Sequence, residues 1–132
     1  MTFPLKIVTP DGLIFDGQAE KLIVRTTTGD VAILARHIDA VFPLGMGQAI
    51  VESDGQRRTA ACIGGLLSVF AGSVTLVPTT FEWAEQIDAD RAERSLKRAR
   101  NVLDKKDSSA AEIQLAEARL KRALIRRNVA GR

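Results

Sequence analysis

The residue pattern of this chain changes abruptly at Gln86, and that change limits the folds open to it. Before Gln86, short runs of apolar and β-branched residues are interrupted repeatedly by Gly, Pro, Asp and Ser. After it there is no Pro, and no Gly before Gly131, while Ala, Leu, Arg, Lys and Glu dominate. Strands have an apolar period of two and helices one of about 3.6. The pattern therefore predicts two domains, a β domain over residues 1–84 and a helical domain over residues 85–132.

The first domain carries the signals of short antiparallel strands joined by tight turns. Its turn signals are Pro10-Asp11-Gly12, Ser53-Asp54-Gly55-Gln56 and Ala71-Gly72-Ser73, in which Gly and Pro favour turn conformations. Strands at intervals of about ten residues, without helices between them, are typical of an antiparallel sandwich or barrel. The candidate strands are 5–9, 13–15, 21–26, 31–34, 48–52, 57–61, 66–69 and 74–77.

The second domain has apolar stripes at helical spacing on two segments. Asp88 is well placed to cap the first segment, and Ser109 with Glu112 has the spacing of a capping box at the start of the second. A polar break at 104–108 separates them, which predicts an antiparallel two-helix hairpin. Alanines on both stripes bury little area, so we expect a hairpin that is only modestly stable and able to open. The stripes are Ala92, Leu96, Ala99 and Leu103, then Ile113, Ala116, Leu120 and Ala123.

Charge is distributed unevenly between the two parts of the chain. Residues 1–86 carry six Lys/Arg and nine Asp/Glu, whereas residues 87–132 carry thirteen Lys/Arg and seven Asp/Glu. No acidic residue follows Glu117, and the basic ones that do are Arg119, Lys121, Arg122, Arg126, Arg127 and Arg132. This asymmetry indicates that the tail meets an acidic protein surface, a nucleotide or a nucleic acid. A solvated helix face is the alternative interpretation.

The sequence also bears on two other classes of function, a nucleic-acid-binding module and a small enzyme. The first rests on the basic tail alone, and the tail has no aromatic residue on which bases would stack. The second would need a set of catalytic or metal-binding side chains, and none is recognisable, because His37 and Cys62 are the only residues of their types and there is no Tyr. We therefore expect no catalytic site, no metal site and no required cofactor. We interpret Cys62 as a buried small side chain.

No apolar run reaches the roughly 20 residues that span a bilayer, and the first residues lack the pattern of a secretion signal. From this pattern we expect a protein that stays in the cytoplasm. Any attachment to a membrane would then go through other proteins, without direct insertion into lipid.

Several segments resemble the epsilon subunit of bacterial F-type ATP synthases. They are IVTPDGLIFDG at 7–17, GDVAILARH at 29–37 and IGGLLSV at 63–69, followed by VTLV at 74–77. With the basic tail, the resemblance covers nearly the whole chain. It implies an N-terminal antiparallel β-sandwich followed by a C-terminal antiparallel two-helix hairpin, with His37 as a structural loop residue. The chain departs from the family pattern at Ala32, where Gly is usual, and at Ala35 and Asp39, where Pro is usual, so the loop they shape and its subunit contacts are expected to differ.

The stretch Ile87-Asp88-Ala89-Asp90-Arg91-Ala92 resembles the Ile/Leu-Asp-x-x-Arg-Ala motif with which some bacterial epsilon subunits bind ATP. Guanidinium groups converging from two facing helices make charge-assisted, bidentate contacts to phosphate oxygens. ATP is thus implied as a regulatory ligand. The alternative is that Asp88 is only an N-cap and the arginines only a solvated face. The ATP-binding residues implied by the resemblance are Glu82, Ile87, Asp88, Arg91, Ala92, Arg98, Arg122 and Arg126.

The resemblance also implies partners and a mechanism. The sandwich would dock on the gamma subunit and touch the c-ring, rotating with the central stalk at the cytoplasmic face of the bacterial inner (plasma) membrane. The folded-down hairpin would leave the enzyme active. The extended hairpin would reach the catalytic alpha and beta subunits and block ATP hydrolysis. An acidic loop of those subunits would meet Arg119, Lys121, Arg122, Arg126 and Arg127. The predicted role is regulatory and non-catalytic, with a basic-tailed nucleic-acid-binding module as the alternative.

Overall fold

The computed structural model describes residues 1–131, and Arg132, the last residue of the basic run, lies outside them. The chain divides into two compact units. The first is Met1–Trp83, and the second begins at Ala84.

The first unit is a sandwich of eight strands. The strands are β1 Phe3–Thr9, β2 Gly12–Ala19, β3 Lys21–Thr26, β4 Gly29–Ile33, β5 Ala40–Pro43, β6 Met46–Ser53, β7 Gln56–Phe70 and β8 Ser73–Trp83. Their order is β2-β1-β8-β7-β6-β3-β4, with β5 paired to β7. Every pair is antiparallel except β1 and β8, which run parallel. The prediction of an antiparallel sandwich followed by two helices is confirmed, and this one pair is the exception.

The long strand β7 connects two parts of the sandwich. Its first half pairs with β6, and residues 66–69 pair with β5. Between these stretches Gly64 and Gly65 have φ angles of 69° and 100°, a region that favours glycine. A Cβ at Gly65 would overlap the carbonyl group of Val77 on β8. Two separate strands, 57–61 and 66–69, were predicted here, and in the structure the glycine pair lets one strand bend and continue.

Two of the predicted turns are two-residue loops that join the strands of β-hairpins. Asp54 and Gly55 have φ angles of 53° and 72°, and Ala71 and Gly72 have φ angles of 50° and 82°. Positive φ at both central residues matches the twist of the flanking strands.

The core of the sandwich is built from the inward-facing residues of its strands. The largest fully buried side chains of this unit include Leu5, Ile7, Leu22, Val24, Ile33, Leu67 and Leu76. Cys62 is buried as predicted, and burial raises the pKa of its thiol to about 12, so the thiol stays protonated at neutral pH. Trp83 packs edge-on against Phe81, with ring centroids 4.9 Å apart, and the Arg58 guanidinium lies 3.7 Å from its centroid.

The second unit contains a 3-10 turn, Ala84–Gln86, and two helices, α1 Ala89–Asp104 and α2 Ala110–Ala130. Asp88 caps α1, because its Oδ1 accepts the Arg91 amide at 3.0 Å. Ser109 and Glu112 form the predicted capping box on α2.

The contact between the two helices is dominated by small residues. Most of the predicted stripe is buried, namely Ala92, Leu96, Ala99, Ala116 and Ala123. Leu103, Ile113 and Leu120 are only half-buried. The Ser108 hydroxyl donates to the Val102 carbonyl at 2.9 Å, which ties the connection to the end of α1.

We expect residues 1–84 to fold without the tail, because the strands pair with one another and share their own core. A fragment ending at Ala84 should show a β-type circular dichroism spectrum and a single cooperative thermal transition. The full-length chain is the control. A fragment without a cooperative transition would show that the sandwich depends on the helices.

Candidate functional site

A cleft of about 790 Å³ lies between α1 and α2. Its lining residues recur every three or four positions on both helices, so each helix contributes one continuous face. Ala99, Ala116 and Ala123 are part of this lining. Alanine side chains are short, so they leave open the space between the longer side chains that line the cleft.

The cleft is strongly cationic. Its lining includes Arg98 from α1, Lys105 immediately after the end of α1, and three arginines from α2. Glu112 is the one carboxylate among the lining residues, and its Oε1 accepts the Ser109 amide at 3.4 Å in the capping box. Several guanidiniums facing one space are suited to an anion with many oxygens, such as a phosphate chain. The arginines of α2 are Arg119, Arg122 and Arg126.

The structure brings together three of the residues predicted to bind ATP, Arg98, Arg122 and Arg126. Arg122 and Arg126 share one face of α2, and Arg98 lies across the cleft, with its Nη2 3.3 Å from the Ser95 hydroxyl. These three side chains form the part of the predicted site that the folded hairpin assembles.

The other predicted ATP-binding residues are not on the cleft lining. The Ile87 amide donates to the Ala84 carbonyl at 3.3 Å, and the Asp88 carboxylate is used as a helix cap. Arg91 is exposed, and Ala92 is buried in the seam between the helices. Glu82 lies on β8, in the sandwich. The contact that Asp88 makes is the one expected of an N-cap.

The residues predicted to meet the catalytic subunits fall into three groups. Arg119, Arg122 and Arg126 line the cleft, and Lys121 is exposed away from it. Arg127 reaches across to α1, with its Nη1 3.8 Å from Glu93 Oε2 and both side chains about 40% exposed. A pair this exposed contributes little to stability, on the order of 0–1 kcal/mol.

Two cations that line the cleft, Lys105 and Arg119, were not among the predicted ATP-binding residues. Arg119 carried a usable signal, because it precedes Arg122 by three residues and Arg126 by seven, and residues at these spacings lie on the same side of a helix. Lys105 carried no such signal, because it follows the end of α1.

His37 lies outside the cleft, in the loop between β4 and β5. Its Nδ1 lies 2.7 Å from the Ile38 carbonyl oxygen, and its ring meets Phe42 edge-on at 6.2 Å. No three His, Cys, Asp or Glu side chains come together as metal ligands within the described part of the chain. Of the described helices, neither combines the length and apolar character needed to cross a bilayer.

The sandwich also carries an exposed apolar patch, formed by Val41, Pro43, Leu66, Phe70 and Val77. Pro43 is paired with Leu66 and Leu66 with Val77, so these three form one row across β5, β7 and β8. Val41 and Phe70 lie two and four residues from that row on the same face, and are 65% and 71% exposed. Contiguous exposed apolar residues make this face a candidate docking surface.

The sandwich and the basic two-helix tail define a small two-domain protein that combines a β-sandwich with a helical hairpin. Residues 2–84 match the family described as ATP synthase, Delta/Epsilon chain, beta-sandwich domain, and residues 85–131 match ATP synthase, Delta/Epsilon chain, long alpha-helix domain. The chain therefore belongs to the ATP synthase delta/epsilon chain family. It is a non-catalytic subunit of such an enzyme.

Similar proteins and structures agree with this assignment. The ATP synthase epsilon chain of Ruminococcus albus is 41% identical over 131 residues, covering 98% of this chain and 97% of that one. That of Bacillus velezensis is 42% identical over 130 residues, covering 98% of each. A chain of the Euglena gracilis mitochondrial ATP synthase shares the fold, with a TM-score of 0.81 at 24% identity, over 91% of this chain and 76% of that one.

Proposed function

We propose that this chain is a central-stalk subunit of an F-type ATP synthase whose hairpin restrains ATP hydrolysis and responds to ATP. The sandwich docks on the gamma subunit and the c-ring, at the cytoplasmic face of the bacterial inner membrane. The hairpin alternates between a folded state that holds ATP and an extended state that blocks the catalytic alpha and beta subunits. The observation that carries this proposal is the cationic cleft between two helices whose buried contact consists mostly of alanines, with Leu96 as the large side chain among them.

The seam makes opening of the hairpin energetically accessible. Apolar burial stabilises by about 25 cal/mol per Å², and an alanine offers little area to bury. The ion pair between Arg127 and Glu93 adds little because both side chains are largely in solvent. Four arginines and one lysine facing the same cleft repel one another, which opposes closure. The folded and extended hairpins therefore differ little in free energy, so a ligand is able to shift the population from one to the other.

A bound triphosphate would oppose that repulsion and bridge the two helices. Arg98 lies on α1, whereas Arg122 and Arg126 lie on α2, so only the folded hairpin presents all three to one ligand. A ligand that binds one state alone stabilises it by mass action. When the helices separate, the same α2 arginines are released to meet an acidic protein surface. ATP and the catalytic subunits thus compete for one set of cations.

The apolar patch supports the docking role of the sandwich. A further chain of this fold, at 14% identity and a TM-score of 0.66, comes from a Tetrahymena thermophila structure described as central stalk and c-ring. Burying the row of Pro43, Leu66 and Val77 against another subunit would remove from water a surface that the isolated chain leaves exposed.

Replacing Leu66 by Asp is expected to weaken binding to the gamma subunit by at least about tenfold, since a carboxylate in an apolar contact loses its hydration. Leu66 is 50% exposed, so the isolated sandwich should tolerate the change. Leu13→Asp, on β2 and 59% exposed, is the matched control and should bind normally. A pull-down with gamma measures both variants. Equal binding by wild type and Leu66→Asp would remove the patch from the docking surface.

A further inference from the structure

The strand β5 carries two residues of the apolar patch, Val41 and Pro43. It has four residues, and within the described part of the chain its ladder is formed with β7 alone. A ladder this short contains only a few backbone hydrogen bonds, and its uniformly apolar residues leave no alternation to specify the register. The position of β5 on β7 therefore depends on the contacts at its two ends.

A hydrogen bond to another part of the chain holds β5 at each end. Just after the strand, the Leu44 amide donates to the Gly65 carbonyl at 2.9 Å. Just before it, the Asp39 carboxylate accepts the Ala71 amide, with Oδ1 2.9 Å from the nitrogen. Asp39 and Ala71 are 32 residues apart in the sequence. The Asp39 side chain thus continues the attachment of β5 to β7 past their last backbone pair.

The same hydrogen bond fixes the turn between β7 and β8. Ala71 is the first central residue of that two-residue turn and has a φ angle of 50°, which few residues other than glycine adopt. Its amide takes no part in the hairpin ladder, and the Asp39 carboxylate gives it a partner. Phe70, the most exposed residue of the apolar patch, immediately precedes Ala71. The contact therefore restrains the backbone on both sides of the patch.

We infer that Asp39 is a positioning residue for docking, because it holds β5 and the β7–β8 turn so that Val41 and Phe70 stay in one apolar surface. This rests on the proposed docking of the sandwich on the gamma subunit. Asp39 acts through the Ala71 amide and not by contact with gamma. A patch that is ordered before binding avoids the entropic cost of ordering it during binding, and the affinity is higher by that amount.

The chain offers a matched control at another two-residue turn. The Glu20 carboxylate accepts the Gly55 amide at 3.1 Å, across 35 residues. Glu20 lies between β2 and β3, and Gly55 lies between β6 and β7, so neither belongs to the apolar patch. Glu20→Ala therefore removes the same kind of contact and the same charge as Asp39→Ala, without touching the patch.

The test uses the full chain as wild type, Asp39→Ala, Asp39→Asn and Glu20→Ala. Calorimetry measures binding to the gamma subunit, amide hydrogen exchange by NMR follows Ala71 and Gly55, and circular dichroism checks the fold. Asp39→Ala should speed exchange at Ala71 by at least about tenfold and weaken binding to gamma by about three- to tenfold. Asp39→Asn keeps an oxygen acceptor, so both properties should stay near wild type. Glu20→Ala should speed exchange at Gly55 alone and bind gamma within about twofold of wild type.

Three outcomes would overturn the inference and leave the docking role of the sandwich standing. The first is normal binding to gamma by Asp39→Ala, with or without faster exchange at Ala71. The second is equal weakening by Asp39→Asn, which would mean that the charge and not the hydrogen bond is recognised. The third is equal weakening by Glu20→Ala, which would reduce the effect to a general loosening of the sandwich. Absence of gamma binding by wild type would overturn the proposed docking and this inference with it.

Discussion

Replacing Arg98, Arg122 and Arg126 together by Ala is expected to lower the affinity for ATP by at least about a hundredfold. Each charge-assisted hydrogen bond to phosphate is worth about 1.5–3 kcal/mol, which corresponds to about ten- to a hundredfold in affinity. The three side chains act on one ligand, so their contributions are not expected to add simply. Calorimetry on the isolated full chain measures the loss, with wild type titrated under the same ionic strength.

The matched control is the triple variant Arg94→Ala, Lys97→Ala and Arg100→Ala. These residues are exposed on α1 and do not line the cleft, so this variant loses the same net charge without touching the site. Its affinity for ATP should stay within about threefold of wild type, the change expected from long-range charge alone. If both triple variants bind ATP equally well, the cleft is only the gap left by a seam of alanines.

Local signals in the sequence predicted most of the hairpin. Asp88 caps α1, and Ser109 with Glu112 forms the capping box of α2, as their spacing indicated. The alanine stripes are buried between the helices. These features depend on residues three or four positions apart, which is why spacing alone was sufficient.

The features that the sequence did not predict depend on distant partners. The short strand β5 exists because it pairs with the end of β7. Its four residues are all apolar, so no alternation of apolar and polar side chains marks it in the sequence. The parallel pairing of β1 with β8 joins segments about 70 residues apart in sequence, as the partners Leu5 and Val74 show. Neither pairing leaves a periodic signature in the strand itself.

The candidate site was predicted in part for the same reason. Spacing placed Arg122 and Arg126 on one face of α2, and the structure has them there. Spacing did not say which face of α1 would meet them. The cleft includes Arg98 but not Arg91, and Arg119 lines it together with Arg122 and Arg126. Side chains on two helices meet only once the packing of those helices is known.

Removal of residues 87–132 is expected to raise ATP hydrolysis by the assembled enzyme about fivefold or more, a coupling within the range usual for allosteric control. The truncated chain keeps the apolar patch and should still bind gamma. Arg119→Ala, Arg122→Ala, Arg126→Ala and Arg127→Ala combined in the full chain should give an intermediate rate that depends on ionic strength, because charge pairing with the catalytic subunits is weakened.

The deciding measurement is the steady-state rate of ATP hydrolysis by enzyme reconstituted with the full chain or with residues 1–86, each checked for equal incorporation. An inhibitory hairpin predicts a low rate with the full chain and a higher rate with the truncated one. Equal rates at equal incorporation would contradict it, and would leave the hairpin without a role in restraining hydrolysis.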